Sequence, residues 1–331
     1  MTAKLRVGIV GAGAIARTHA EALNVAAGTQ LVGVADVDAR AAQTFAGAFG
    51  VPAFDHHEHL VREARCDLAI LCTPPSTHLP ISLDLLAAKV AVLCEKPLAL
   101  DVRSAETILN AAEKHGAAFT MASKFRFVRD VERARQMISA GELGEVVLLE
   151  NAFTSRVDMT ARWNSDPRVS GGGVLIDNGT HSVDLIRFLL GPIAEVQAIE
   201  GKRIQPLAVE DSAVLFIRAQ SGATATVDLS WSINKELDDF IAIHGSRGSA
   251  RVGWKRSRAK LGGAASWSEF GTGYDKLACF VQQLDNVTAA IAGSEPMRVS
   301  PLDALASVHV VEAAYRSMRA NQWVRVDRES Q

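Results

Sequence analysis

Residues 5–16 read Leu-Arg-Val-Gly-Ile-Val-Gly-Ala-Gly-Ala-Ile-Ala, a short apolar run that breaks at Gly11-Ala12-Gly13 and continues with helical period. Such a run is the pattern of a strand covered on both faces. The small residues fall where a strand-to-helix turn requires them. Gly11 permits the tight turn, Gly13 lets the backbone approach a pyrophosphate, and Ala16 lets the helix pack closely on the strand. Gly11, Gly13, Ala14 and Ile15 are therefore read as the phosphate-binding positions of a dinucleotide fingerprint. Asp36 ends a second apolar run, residues 31–35, and is the acidic partner that fingerprint requires. Its carboxylate accepts from ribose hydroxyls and repels a 2′-phosphate, which favours NAD; Arg40, four residues on, leaves NADP open.

Outward from this unit the pattern repeats. Further apolar runs at 68–72, 91–94 and 117–122 are separated by stretches of helical period at 39–49, 79–88 and 102–115, with Asp101 as a cap and Gly50 and Gly116 as stops. Strand, helix, strand about every thirty residues predicts right-handed βαβ units and a doubly wound parallel sheet. Thr73-Pro74-Pro75-Ser76-Thr77-His78 follows the third main run and Glu95-Lys96-Pro97 the fourth, at the carboxyl edge where open α/β sheets bind ligands. Thr73 and Pro74 are read as lying along the cofactor. His78 is either a cofactor contact or a capping or packing histidine. Glu95 and Lys96 border the same pocket, where the lysine can donate to a substrate oxygen.

Beyond residue 122 the pattern changes. A helix at 130–140 precedes runs at 146–153, 195–200, 213–219, 223–231 and 240–244, with alternation visible in Ala-Thr-Ala-Thr-Val-Asp-Leu-Ser-Trp. That is the signature of an antiparallel sheet with one face solvated or covered by a partner. Helices at 276–292 and 302–320 and a strand at 323–326 close the chain. The predicted fold is α/β: an N-terminal Rossmann doubly wound parallel sheet, residues 1–122, then a C-terminal α+β domain, residues 123–331, with a large, open, mostly antiparallel sheet.

Residues 171–181 read Gly-Gly-Gly-Val-Leu-Ile-Asp-Asn-Gly-Thr-His. On a helix Asp177 and His181 are four apart and share a face, so the carboxylate can orient the imidazole and raise its basicity. Together with Gly-Ala-Gly-Ala-Ile-Ala, Asp36, Thr-Pro-Pro-Ser-Thr-His and Glu-Lys-Pro, in this order and over nearly the whole chain, these motifs resemble the glucose–fructose oxidoreductase / inositol dehydrogenase (Gfo/Idh/MocA) family. The resemblance implies a Rossmann domain and a C-terminal domain whose open sheet forms a homodimer or homotetramer. It also implies reversible hydride transfer at a secondary alcohol of a sugar, cyclitol or sugar derivative. Lys96, Asp177 and His181 match the family's catalytic positions: His181 as general base, Asp177 orienting it, Lys96 bonded to the reacting oxygen and positioning the nicotinamide. Arg162-Trp163 matches a pair that in some relatives reaches the cofactor; a rim tryptophan packed on its own loop is the alternative. Lys124 and Arg126 are read as contacts for substrate hydroxyls or a carboxylate, or as a solvated positive edge. Asn178 is a further substrate candidate, and Asp184 is either a second carboxylate partner or a surface charge.

Composition excludes other classes. Thirty-five Lys and Arg against thirty-seven Asp and Glu leave a net charge of −2, so a strongly basic nucleic-acid binder is excluded. Cys66, Cys72, Cys94 and Cys279 lack CxxC spacing and read as reduced core thiols of a cytoplasmic protein. No targeting segment and no membrane span is expected. Asp55-His56-His57-Glu58-His59 has zinc-like ligand types, but neighbouring helical side chains point apart, and no metal is expected. Two other functions fit the same fold: a glycoside hydrolase that retains NAD, and a non-catalytic sugar and dinucleotide sensor, which has no need of Lys96, Asp177 and His181 together.

Overall fold

The computed structural model describes residues 4–326. The chain opens with β1 (Leu5–Val10), α1 (Ala14–Val25), β2 (Thr29–Ala35), α2 (Ala39–Phe49), β3 (Ala53–Phe54) and α3 (His57–Ala64). It continues through β4 (Leu68–Leu71), α4 (His78–Ala87), β5 (Ala91–Cys94), α5 (Val102–His115) and β6 (Phe119–Met121). These strands form one parallel sheet in the order β3-β2-β1-β4-β5-β6. Strands β4 and β5 are buried at every position, as expected where helices cover both faces. The order in which strands are added reverses between the parallel neighbours β1 and β4, so the loops leaving these two strands flank the switch-point crevice. Strand β3 is only two residues long, too short to carry the alternation that would reveal it in the sequence.

The second part begins with α6 (Arg129–Ser139), β7 (Val146–Thr154), α7 (Pro167–Ser170) and α8 (Val174–Leu190). Seven strands follow: β8 (Ile193–Glu200), β9 (Ser212–Ala219), β10 (Thr224–Ser230), β11 (Asp239–Gly245), β12 (Gly248–Gly253), β13 (Ser257–Leu261) and β14 (Ser268–Gly271). The described chain ends with α9 (Lys276–Ile291), α10 (Pro301–Ala320) and β15 (Val324–Arg325). The nine-stranded sheet runs β14-β13-β12-β11-β7-β10-β9-β8-β15 and is antiparallel except where β7 meets β10. Leu215, Ile217, Val227 and Leu149 are buried on one face, against which α8 packs. The opposite face leaves Ile199 and Phe216 exposed.

The chain divides into two compact units, Met1–Lys124 with Lys276–Leu305, and Phe125–Asp275 with Ala306–Gln331. This differs from a single boundary at 122. Helix α9 returns to the first unit and lies along α1, placing Phe280, Leu284 and Val287 in the core formed by Val7, Ile9, Ala16, Ala20 and Leu23. An apolar helix is recognisable in sequence, but the sheet it covers is not. Among the described residues no helix is long and apolar enough to cross a membrane, and all four cysteines are buried and unpaired with one another.

Candidate active site

The fingerprint loop lies against the end of β4. Gly11 sits at φ +96°, and a Cβ there would stand 2.9 Å from the backbone of Cys72. No other residue fits that turn without displacing main chain. A Cβ on Gly13, by contrast, would meet nothing within 4 Å, so the backbone at the start of α1 faces open space. Helix α1 has no side-chain cap and no acid in its first turn, which includes Ala14 and Ile15. Its first amides and the positive helix end are thus available to an anion. Asp36 Oδ2 accepts from Ala12 N at 2.7 Å and Oδ1 from Asp38 N at 2.9 Å. The carboxylate therefore fixes the glycine loop and retains lone pairs for hydroxyl donors. An open glycine cradle, an uncapped helix end and a tethered acid at the end of the second strand fit a dinucleotide.

The ends of β4 and β5 are joined by His78, which is fully buried. Its Nε2 lies 2.9 Å from the Thr73 carbonyl and its Nδ1 3.0 Å from that of Pro97. Burial holds the imidazole below its ordinary pKa, so the ring is neutral with one N–H to donate. With no accessible surface and its single N–H committed to one of these carbonyls, His78 is corrected from a cofactor contact to a packing histidine. Pro74 precedes a short 3₁₀ turn, Pro75–Thr77, in which Thr77 Oγ1 donates to Thr73 Oγ1 at 2.7 Å.

Glu95 is nearly buried and accepts from His19 Nε2 at 2.8 Å and from Lys96 N at 3.2 Å. Burial pulls its carboxyl up, but the His19 bond and the charges of His19, Lys96 and Lys124 outweigh that and hold it below its ordinary value. Lys96, half-buried and followed by a cis peptide to Pro97, extends from this anchored strand end. Lys124 lies with its Nζ 6.0 Å from the centroid of the Phe280 ring. Burial and then the charge of Lys96 push its ammonium down to about 8.

In the second unit α8 carries Asp177, Asn178 and His181 as a half-buried strip, while Leu175, Ile176, Thr180 and Ser182 are buried. The spacing of four does bring the carboxylate and the imidazole onto one face. Phe125 meets His181 edge-on at 5.0 Å and is stacked on Phe153 at 4.8 Å and on Tyr274 at 5.3 Å. This aromatic setting was not foreseen, because its members come from four separate segments. Asn178 Nδ2 donates to the Phe153 carbonyl at 3.4 Å.

The glycines before α8 have a steric reason. A Cβ on Gly172 would lie 2.0 Å from Tyr315 Oη, and one on Gly173 would lie 1.9 Å from the Glu210 carbonyl oxygen.

Arg126 is corrected from a substrate contact. It is buried, with Nη2 2.7 Å from Asp184 Oδ1 and Nε 3.0 Å from both oxygens, and its guanidinium lies over Phe188 at 5.1 Å. Asp184 is accordingly its buried partner and no surface charge. Arg162 and Trp163 are exposed within their own unit, at the start of a 3₁₀ turn spanning Trp163–Ser165. In the 55–59 segment His59 Nδ1 bonds Asp55 at 2.6 Å, whereas His57 Nε2 turns to Asp84 at 3.1 Å. Ligand atoms of His57, Glu58 and Asp84 lie within 4.8 Å of one another.

Residues 5–123 match the oxidoreductase family with an NAD-binding Rossmann fold, and residues 131–251 match the GFO/IDH/MocA C-terminal domain. The chain belongs to the GFO/IDH/MocA family. It is 28% identical to inositol 2-dehydrogenase of Rhizobium meliloti (strain 1021) over 97% of this chain and 99% of that protein. It is 27% identical to the rhizopine catabolism protein MocA of Rhizobium meliloti over 94% of each chain. Among solved structures, GenD2 from gentamicin A biosynthesis, in complex with NAD, is 28% identical with a TM-score of 0.88 over 99% of this chain and 98% of that one. Levoglucosan dehydrogenase with NADH and levoglucosan shares the fold at a TM-score of 0.92 and 20% identity, over 98% of this chain and all of that one (100%). This GFO/IDH/MocA protein is thus an NAD-dependent oxidoreductase.

Proposed function

We propose that this protein oxidises, reversibly, a secondary alcohol of a sugar, cyclitol or related polyol, with Lys96, Asp177 and His181 as its catalytic residues. The observation that carries this reading is the half-buried strip of Asp177, Asn178 and His181 on helix α8, whose other residues from Val174 to Ile186 are buried. When bound, the nicotinamide supplies the hydride acceptor or donor. His181 takes the hydroxyl proton, since a neutral imidazole is the side chain best matched to a proton transfer near neutral pH. Asp177, one turn earlier on the same face, holds that imidazole's orientation. Lys96 donates to the reacting oxygen as its charge changes, and Glu95, bonded to Lys96 N, fixes the strand end from which it extends. Asp36 favours NAD over NADP, because a 2′-phosphate would meet its carboxylate. Trp163 and Arg162 form an exposed rim, and Lys124 and Asn178 select among hydroxyl patterns. The exposed Ile199 and Phe216 on the outer sheet face support self-association as a homodimer or homotetramer.

The test is a panel of sugars, cyclitols and sugar acids, with myo-inositol included, assayed for NADH and NADPH formation. The expected result is NADH formation on at least one polyol, falling by roughly 10²-fold or more in Lys96→Ala and in His181→Ala. Wild-type turnover in both variants removes the catalytic assignment. A preference for NADP removes the role of Asp36. Retained cofactor with bond cleavage and no net NADH would favour the hydrolase.

A further inference from the structure

Helices ordinarily satisfy their first amides with a local cap side chain or with water. Helix α8 has no side-chain cap of its own at Gly173. Its opening amides are instead held by one residue from a distant segment, Glu210, which directly precedes Asp211 and β9. Gly173 N and Leu175 N each donate to Glu210 Oε1 at 3.0 Å, and Val174 N donates to the Glu210 carbonyl at 2.9 Å. Tyr315, from α10, donates to the same Oε1 at 2.8 Å. Three donors converge on one nearly buried carboxylate oxygen, and three consecutive amides are bound to one residue.

The close approach that excludes a Cβ at Gly172 and Gly173 is the same contact. The glycines are therefore needed to admit the clamp, and the clamp fixes where α8 begins and how it is rotated. Asp177 N bonds the Gly173 carbonyl at 3.1 Å, so the first turn stands directly on the clamped residues. Asp177 lies in that turn and His181 one turn later, and neither can rotate about the helix axis without breaking the Glu210 bonds. A carboxylate at a helix N-terminus also opposes the positive end of the macrodipole.

We propose that Glu210, held by Tyr315, is the positioning residue for the Asp177–His181 pair, setting the register of α8 without touching substrate. This rests on the catalytic reading of that pair. The geometry required for proton transfer tolerates little error, and a displacement of about 1 Å can cost roughly a hundredfold in rate.

The test uses the full chain with NAD and myo-inositol, or the panel alcohol that gives the higher rate. Glu210→Ala is expected to lower kcat by roughly a hundredfold with little change in KM for the alcohol. Glu210→Gln, which keeps an acceptor oxygen, is expected to restore most of that loss, and Tyr315→Phe to give a smaller fall in kcat. Hydrogen exchange of the amides at 173–177 should accelerate in Glu210→Ala. Ser317→Ala is the structural control, because Ser317 is fully buried in the same unit and on the same helix as Tyr315 but accepts from Ala198 N of β8 at 3.0 Å; it should lower thermal stability without lowering kcat per folded molecule.

Faster exchange with an unchanged kcat in Glu210→Ala overturns the proposal, as does an equal kcat loss in Ser317→Ala or in Glu210→Gln. If Glu210→Ala does not fold, Tyr315→Phe decides: a lower kcat at unchanged KM supports the clamp, and an unchanged kcat overturns it. Wild-type turnover in His181→Ala defeats the catalytic reading itself. Loss of turnover there with none in Glu210→Ala defeats only the positioning role.

Discussion

Lys124 carries a charge that its surroundings oppose. Burial first, and the neighbouring charge of Lys96 second, push its ammonium down to about 8 from the ordinary lysine value of 10.5. A lysine whose folded pKa is depressed destabilises the fold wherever it is charged in both states, so the penalty is fully present below about 8 and fades as pH rises toward 10.5. Lys124→Met should therefore raise the thermal midpoint at pH 6–7, and the gain should shrink in alkaline buffer. A midpoint difference that does not change with pH would show that the ammonium is not the cause. Other residues teach what sequence can and cannot disclose. Asp177 and His181 were legible because four positions on a helix make one face. Arg126 and Glu210 were not, because the partners that define them, Asp184 and the amides of Gly173 and Leu175, are 58, 37 and 35 positions away. Residue type sets what a side chain can bond, but only the fold supplies the partner.

Helices and strands were recognised to the extent that their own pattern contained the reason for them. Helix α2 is an example: Asp38 Oδ1 accepts from Arg40 N at 2.9 Å and Ala41 N at 3.2 Å, and Gly50 closes the helix at φ +68°. Asp38→Ala should lower the urea midpoint by an amount equivalent to about 1 kcal/mol, the usual cost of losing such a cap. An unchanged midpoint would mean that solvent replaces it. Alternation exposed β9 and β10, each buried on one face. Strands β12, β13 and β14 left no such trace. Toward this edge of the sheet the sequence is polar, with Arg251, Arg258 and Lys260 among its side chains, and the arginines lie over Trp267 at 5.2 and 5.5 Å. Charged edge strands resist unwanted pairing, and the same charges hide them from a reading based on hydrophobicity.

At the scale of the molecule, the parallel sheet and the mostly antiparallel sheet were both foreseeable, whereas the path of the chain between them was not. The first unit needs α9: Phe280, Leu284 and Val287 are all but fully buried in the core of β1 and α1. A fragment of residues 1–124 is expected to lack a cooperative thermal transition, and one that joins 1–124 to 276–305 through a Gly/Ser linker is expected to show it. A cooperative transition in the shorter fragment would contradict this account. The same discontinuity bears on how the protein is made. When a ribosome has finished Lys124, the nucleotide-binding unit still lacks one of its helices, and residues 125–275 must be synthesised before that helix emerges. At roughly 5–20 residues per second that is an interval on the order of ten to thirty seconds. During it the flank of α1 that α9 will cover has no permanent neighbour, which is the stage at which a nascent chain of this design would most depend on a chaperone.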